Sequence, residues 1–294
     1  MQGKIIKGIG GFYYVFADGY GLYECKAKGI FRNQKIKPMV GDDVVIDVLD
    51  EQEKLGNMTD ILQRNNALVR PAVANVDQAM MIFAMASPAP NLNLLDRFLI
   101  IMNRQQVKTI ICFNKTDLAS AEDRMRLQEI YENCGSRVIF ASVTKGEGIE
   151  QIREMIHGKT TVLAGPSGVG KSSLLNTLNP EVQAETGSVS EKIKRGRHTT
   201  RHSEIIPVEK DTFIVDTPGF TSLYIDELEK EELADYFYEI GLYEPDCRFA
   251  GCGHVYEREC DCGVKQALKA GYIHPARYES YTMLYEELKD KRKW

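Results

Sequence analysis

The sequence predicts an α/β domain with a mostly parallel sheet, set between a small all-β barrel and a mostly helical, cysteine-bearing C-terminal unit. Three observations predict it. Residues 1–65 carry short apolar runs such as Phe12-Tyr13-Tyr14-Val15 and Val44-Val45-Ile46-Asp47-Val48, broken by Gly, Asp and Asn, as strands of a barrel would be. From Asn75 onward, apolar runs alternate with helical stretches, the pattern of a sheet covered by helices. After about Asp226 strand signals stop, and Cys247, Cys252, Cys260 and Cys262 fall within sixteen residues of one another. The expected boundaries are therefore 1–65, 66–225 and 226–294.

With 294 residues the chain is long enough for two or three cores. A net charge of -5 argues against simple coating of nucleic acid, though it hides local patches. No run of about 18 uncharged apolar residues occurs, and the first residues lack the apolar stretch of a signal peptide. A cytoplasmic protein with no membrane partner is expected.

The strands of the central domain are expected at Gln78 to Ala84, Val107 to Phe113, Arg137 to Ala141, Thr160 to Ala164 and Thr212 to Asp216. At the chain's end, Tyr278, Tyr281, Leu284, Tyr285 and Leu288 recur at helical spacing, which predicts a helix over Ala276 to Lys293.

Gly165-Pro166-Ser167-Gly168-Val169-Gly170-Lys171-Ser172 fits G-x-x-x-x-G-K-S, with an apolar strand before it and Ser173-Leu174-Leu175 opening a helix after it. The glycines let backbone N–H groups converge on phosphate oxygens, Lys171 reaches the β and γ phosphates, and the Ser172 hydroxyl holds magnesium. Phe213-Ile214-Val215-Asp216-Thr217-Pro218-Gly219 delivers a second carboxylate, Asp216, to the magnesium shell, and the Gly219 amide is placed to sense the γ-phosphate. These parts alone do not separate ATP from GTP.

Asn114-Lys115-Thr116-Asp117 supplies that choice. A carboxylate at Asp117 accepts two hydrogen bonds from the guanine N1–H and exocyclic amine, which adenine cannot offer. Asn114 braces the loop and Lys115 packs over the base. Ser142, in the small-residue loop after the strand ending at Ala141, is the expected second base-contacting position. In most GTPases the phosphate loop precedes the guanine motif; here Asn114 to Asp117 and Ser142 come first, so the domain is circularly permuted.

Between the phosphate motifs, Lys192 to His202 holds five Lys/Arg, two His and no acid, which suits contact with RNA phosphates. Thr200 is the expected switch threonine for magnesium and γ-phosphate. Phe220 stands where many GTPases carry the water-orienting glutamine, so intrinsic hydrolysis should be slow, and His198 is the nearest replacement. In the barrel, Lys26, Lys28, Arg32, Lys35 and Lys37 form a second stretch without acids. In the C-terminal unit, Cys247, Cys252, His254 and Cys260 offer one closed tetrahedral zinc site, with Cys262 a rival fourth ligand; a redox pair or an iron–sulfur site are the alternatives.

These residues, with Pro38-Met39-Val40-Gly41-Asp42, Arg70 to Gln78, Leu95-Asp96-Arg97-Phe98 and Gly196-Arg197-His198-Thr199-Thr200, resemble the RsgA family over nearly the entire chain. That family, also called YjeQ or YloQ proteins, comprises circularly permuted bacterial GTPases dependent on the small ribosomal subunit. The resemblance implies an OB-fold barrel, a permuted P-loop GTPase domain and a zinc-binding domain. It implies hydrolysis of GTP to GDP and phosphate, stimulated by the small (30S) subunit late in its maturation, with rRNA as partner; a monomer is expected. It also implies Cys247, Cys252, His254 and Cys260 as the zinc ligands, which decides against Cys262. Arg258, where members often carry proline, and Cys262 itself depart from the family pattern.

Overall fold

The computed structural model describes residues 1–28, 31, 37–69, 71–179, 204–216, 223, 225 and 227–291. The chain divides into two compact units, Met1–Met80 with Ile149–Ala164 and Lys171–Gly219, and Met81–Gly148 with Gly165–Gly170 and Phe220–Trp294. Strand β6, Gln78–Ala84, contributes residues to both.

In the first unit, β1 (Gln2–Ile9), β2 (Phe12–Ala17), β3 (Gly21–Ala27), β4 (Asp43–Asp50) and β5 (Leu55–Ile61) close a barrel in the order β1-β2-β3-β5-β4. This is the expected all-β barrel, and it has five strands. Closure needs β1 antiparallel to β4 and β3 parallel to β5. Alternating residues Ile5, Val15, Ala17, Tyr23, Val44, Ile46 and Met58 fill its interior, and Cys25 is buried among them. Gly41 has φ +92, and a Cβ there would meet the Ala74 carbonyl oxygen at 2.1 Å, so only glycine lets the barrel close onto the segment that leaves it. The neighbouring Asp42 carboxylate is fully buried but answered by Arg64 (2.6 and 2.8 Å) and the Met39 amide (2.7 Å).

The same unit holds β9 (Thr160–Ala164), β10 (Glu204–Glu209) and β11 (Thr212–Asp216), with β11 parallel to β9 and β10 antiparallel to β11. The barrel docks on these strands. Lys7 pairs with Glu204 at 3.0 Å, Phe16 meets Phe213 edge-on at 6.1 Å, and the Lys4 ammonium stands 5.4 Å over the Phe213 ring. Among the described residues, the unit also holds helices α3 (Ile149–Ile156) and α4 (Lys171–Leu178). Strand β10 is absent from the sequence expectation; it carries Pro207, which an edge strand tolerates because an N–H is not needed there.

In the second unit, α1 (Leu92–Arg104) starts at an N-cap where the Asn91 side chain accepts from Leu94 N, and α2 (Ala121–Tyr131) at a reciprocal Ser120 and Asp123 capping box. Strand β7 (Lys108–Asn114) runs parallel to β8 (Arg137–Phe140). The six strands follow the order β10-β11-β9-β6-β7-β8, and every residue of β6 is buried, as a strand with both faces covered must be.

The C-terminal part of this unit builds its core from Leu228, Leu233, Phe237, Ile240, Val264, Tyr281 and Leu284. The expected helical character holds in α5 (Tyr238–Gly241), α6 (Gly263–Lys269) and α7 (Pro275–Lys289), while Lys230–Tyr236, Glu244–Asp246 and Glu259–Asp261 are 3-10 turns. Helix α7 begins where His274 caps the amide of Ala276, and Pro275 occupies its first turn. From α7 the fully buried Arg277 reaches Asp96 of α1 and Glu239 of α5, the latter at 2.6 Å, with its guanidinium 4.5 Å over Phe237 and 5.3 Å over Tyr131 of α2. The Tyr131 hydroxyl donates to Asp96 at 3.0 Å. Burial pushes the Asp96 carboxyl up against the opposing pull of Arg277. Among the described residues, no helix is long and apolar enough to cross a membrane.

Removing Arg277 leaves two carboxylates buried without a cation. Arg277→Ala is expected to cost about 3–5 kcal/mol in urea unfolding, the range for breaking a buried ion pair from one side.

Candidate functional site

The base-binding motif lies where β7 ends. Asn114 is its last residue and is buried, with its Nδ2 donating to the Val169 carbonyl (2.8 Å) and its Oδ1 accepting from the Val143 amide (3.2 Å). One carboxamide thus joins the phosphate loop to the loop after β8. Lys115 follows in the left-handed region at φ 64, and its ammonium donates to the Ser87 carbonyl. Thr116 opens a 3-10 turn, its amide on the Ala141 carbonyl (3.2 Å) and its hydroxyl on Glu147 (3.2 Å).

That turn presents Asp117 as an exposed carboxylate. The fully buried Ser142 donates its hydroxyl to one carboxylate oxygen, and this bond holds the Asp117 pKa below the usual carboxylate range. Ser142 is itself seated by Thr144 Oγ1 (3.1 Å) and by an amide bond to the Glu147 carbonyl (3.0 Å). An ionised, exposed carboxylate with a fixed orientation suits the paired N–H donors of guanine. Ser142, expected at a base-contacting position, is here a buried brace for Asp117, and Ser87, Thr144 and Glu147, which the sequence does not single out, support motif residues without belonging to any motif.

The phosphate loop depends on glycine at two points. Gly165 has φ +147, and a Cβ there would lie 2.0 Å from the Ile82 carbonyl oxygen; Gly170 has φ +99, and its Cβ would lie 2.4 Å from Asn114 Nδ2. Between them Val169 is buried, Pro166 and Gly170 are half-buried, and Ser167 and Gly168 are exposed. In the first unit the chain continues into α4 at Lys171, with Ser172 and Ser173 exposed on its first turn. Burial pushes the Lys171 pKa down while Asp216 opposes the shift. Asp216, at the end of β11, is pushed up by burial and held down by Lys171. A serine hydroxyl and a carboxylate are the hard oxygen donors that magnesium selects. His198, Thr199, Thr200, Thr217, Pro218 and Gly219 lie outside the described residues.

In the C-terminal part, Cys247, Cys252, His254 and Cys262 bring their ligand atoms within 4.8 Å of one another. His254 Nδ1 stands 3.5 Å from the Cys247 sulfur and 3.6 Å from that of Cys262, and those two sulfurs are 4.0 Å apart. Around a tetrahedral zinc with Zn–S of about 2.3 Å and Zn–N of about 2.0 Å, S···N and S···S edges come to about 3.5 and 3.8 Å. The donor set fits. Tyr278 and Tyr281 of α7 fix the loop by donating to the carbonyls of His254 (2.6 Å) and Gly253 (3.0 Å).

The third thiol in this cluster, beside Cys247, Cys252 and His254, is Cys262, which corrects the expectation of Cys260. Cys260 is exposed, whereas Cys262 is fully buried as the residue capping α6. The physical reason sits between them. Asp261 is turned inward and gripped by Arg248 (3.0 Å) and Arg258 (2.7 Å), so the 3-10 turn aims Cys260 at solvent. Arg258, noted above as a departure from the family pattern, is thus part of what makes Cys262 the inward thiol.

The profile of the RsgA GTPase matches residues 61–226, and that of the RsgA N-terminal domain matches residues 2–55. A protein of Agathobacter rectalis named small ribosomal subunit biogenesis GTPase RsgA is 56% identical over 304 residues, covering 100% of both chains. One of the same name from Alkaliphilus metalliredigens is 50% identical, covering 100% of this chain and 99% of its own. Among solved structures, YloQ, a circularly permuted GTPase, superposes with a TM-score of 0.79 at 37% identity over 100% of this chain and 96% of its own. YjeQ from Thermotoga maritima gives 0.80 at 34% identity over 99% of each. With both profiles matched in chain order and relatives alike from end to end, the chain belongs to the RsgA GTPase family.

Proposed function

We propose that this GTPase acts in biogenesis of the small ribosomal subunit, which stimulates its hydrolysis of GTP to GDP and phosphate and from which it departs after turnover. The observation that carries the reading is the base side of the site: an oriented Asp117 carboxylate, with Asn114 bonded to the phosphate loop that the same nucleotide must occupy. The names of the full-length relatives supply the ribosomal context.

In this reading Asp117 accepts from guanine, Lys115 covers the base, and Thr116 and Ser142 keep the motif in shape. Backbone amides between Gly165 and Ser173, other than at Pro166, cradle the phosphates, and Lys171 neutralises the charge that develops on the transferred group. Ser172, Asp216 and Thr200 would hold magnesium, which would draw negative charge from the phosphates. The Gly219 amide senses the γ-phosphate and His198 orients the attacking water. The closed Cys247, Cys252, His254 and Cys262 set holds a structural zinc that stabilises a loop with few apolar residues of its own.

RNA contact falls to the basic stretches. In the barrel, Lys28 pairs with Asp47 at 3.0 Å on an exposed face and Lys26 stands 5.2 Å over Phe12, both at the surface where phosphates would exchange with weak partners.

Phosphate release from GTP and from ATP, with and without purified small ribosomal subunits, tests the reading. Strong stimulation confined to GTP is expected, with guanine preference lost in Asp117→Asn; ATP-driven or unstimulated turnover would overturn it. Gly170→Ala should break the Asn114 bond to Val169 and weaken GDP binding by about two- to tenfold, as loss of one net hydrogen bond implies, which titration with a fluorescent GDP would show. Stripping metal with a chelator should speed amide exchange across residues 247–262; unchanged exchange would argue against a bound zinc.

A further inference from the structure

The Cys3His loop carries two buried polar atoms with no hydrogen-bond partner, His254 Nε2 and Glu257 Oε2. They belong to residues three apart in the chain, and both follow from constraints already visible. His254 is fully buried, in the left-handed region at φ 59, and turns Nδ1 to the sulfurs of Cys247 and Cys262. With Nδ1 facing the metal position, the neutral ring must carry its proton on Nε2, a donor that needs an acceptor.

Glu257 is held as such an acceptor would be. Its Oε1 accepts from the Gly253 amide at 2.9 Å, and Lys265 grips its backbone carbonyl at 2.6 Å and that of Val255 at 2.8 Å. A carboxylate that only served the Gly253 amide would leave its second oxygen in water. Here that oxygen is buried instead.

We propose that Glu257 is the positioning carboxylate of the metal site, accepting the Nε2 proton of His254 directly or across one water. It thereby fixes the tautomer that leaves Nδ1 free for the metal and strengthens the ring as a donor, as carboxylate partners of metal-ligating histidines do. The inference rests on the zinc reading and adds to it a residue that is not itself a ligand.

The test uses the full-length protein with zinc, competed against a chromogenic chelator, in wild type, Glu257→Gln and Glu257→Ala, with circular dichroism to verify folding. Glu257→Ala is expected to bind zinc about 10–100-fold more weakly, and Glu257→Gln to fall between, since an amide oxygen still accepts. Nitrogen-15 NMR of histidine-labelled, zinc-loaded wild type should show the proton on Nε2 and the metal on Nδ1. If Glu257→Ala fails to fold, Glu257→Gln and the NMR experiment decide. Zinc binding in the folded variants within twofold of wild type, or a proton on Nδ1, overturns the role of Glu257 and leaves the zinc reading standing. A wild type that takes up no zinc overturns both.

Discussion

The Asn114 carboxamide, buried at the end of β7, bonds at one end to the phosphate loop and at the other to the loop after β8. In the proposed reading nucleotide selectivity depends on this bridge, because a base motif that moved independently of the phosphate loop could not measure the distance between guanine and phosphates. The same bridge explains why position 170 must be glycine, since any side chain there would enter the space of Nδ2.

A comparable logic operates in the C-terminal part, where few long helices are available. Arg277 gathers α1, α2, α5 and α7 around one guanidinium, and the hydroxyls of Tyr278 and Tyr281 tie the cysteine loop to α7. Directional polar contacts thus add to the apolar core of this part, where 3-10 turns interrupt the helices.

Much of this was legible in the sequence because the informative residues are adjacent. The phosphate loop, Asn114 to Asp117 and the apolar run Ala79 to Ala84 of β6 each announce themselves within a few positions, and the barrel showed in its broken apolar runs. What stayed hidden depends on residues far apart or on direction. Nothing in Pro207 marks it as part of an edge strand until its partner Phe213 is in place. Thr144 and Glu147 support Ser142 and Thr116 through contacts that no spacing rule describes. The choice between Cys260 and Cys262 turned on which way a 3-10 turn faces, set by Arg248 and Arg258 on Asp261. Ligand spacing along the chain cannot carry that information.

The pairing of Asp96 with Arg277 spans 181 positions, nearly two thirds of the chain. During synthesis, α1 and its carboxylate leave the ribosome long before the guanidinium exists. Until α7 emerges, Asp96 is better hydrated than buried, so the inner face of α1, with Leu95, Phe98 and Leu99, cannot settle into its final packing. The nascent protein therefore carries an unfinished apolar surface through most of its translation, and the arrival of one arginine near the C-terminus completes it.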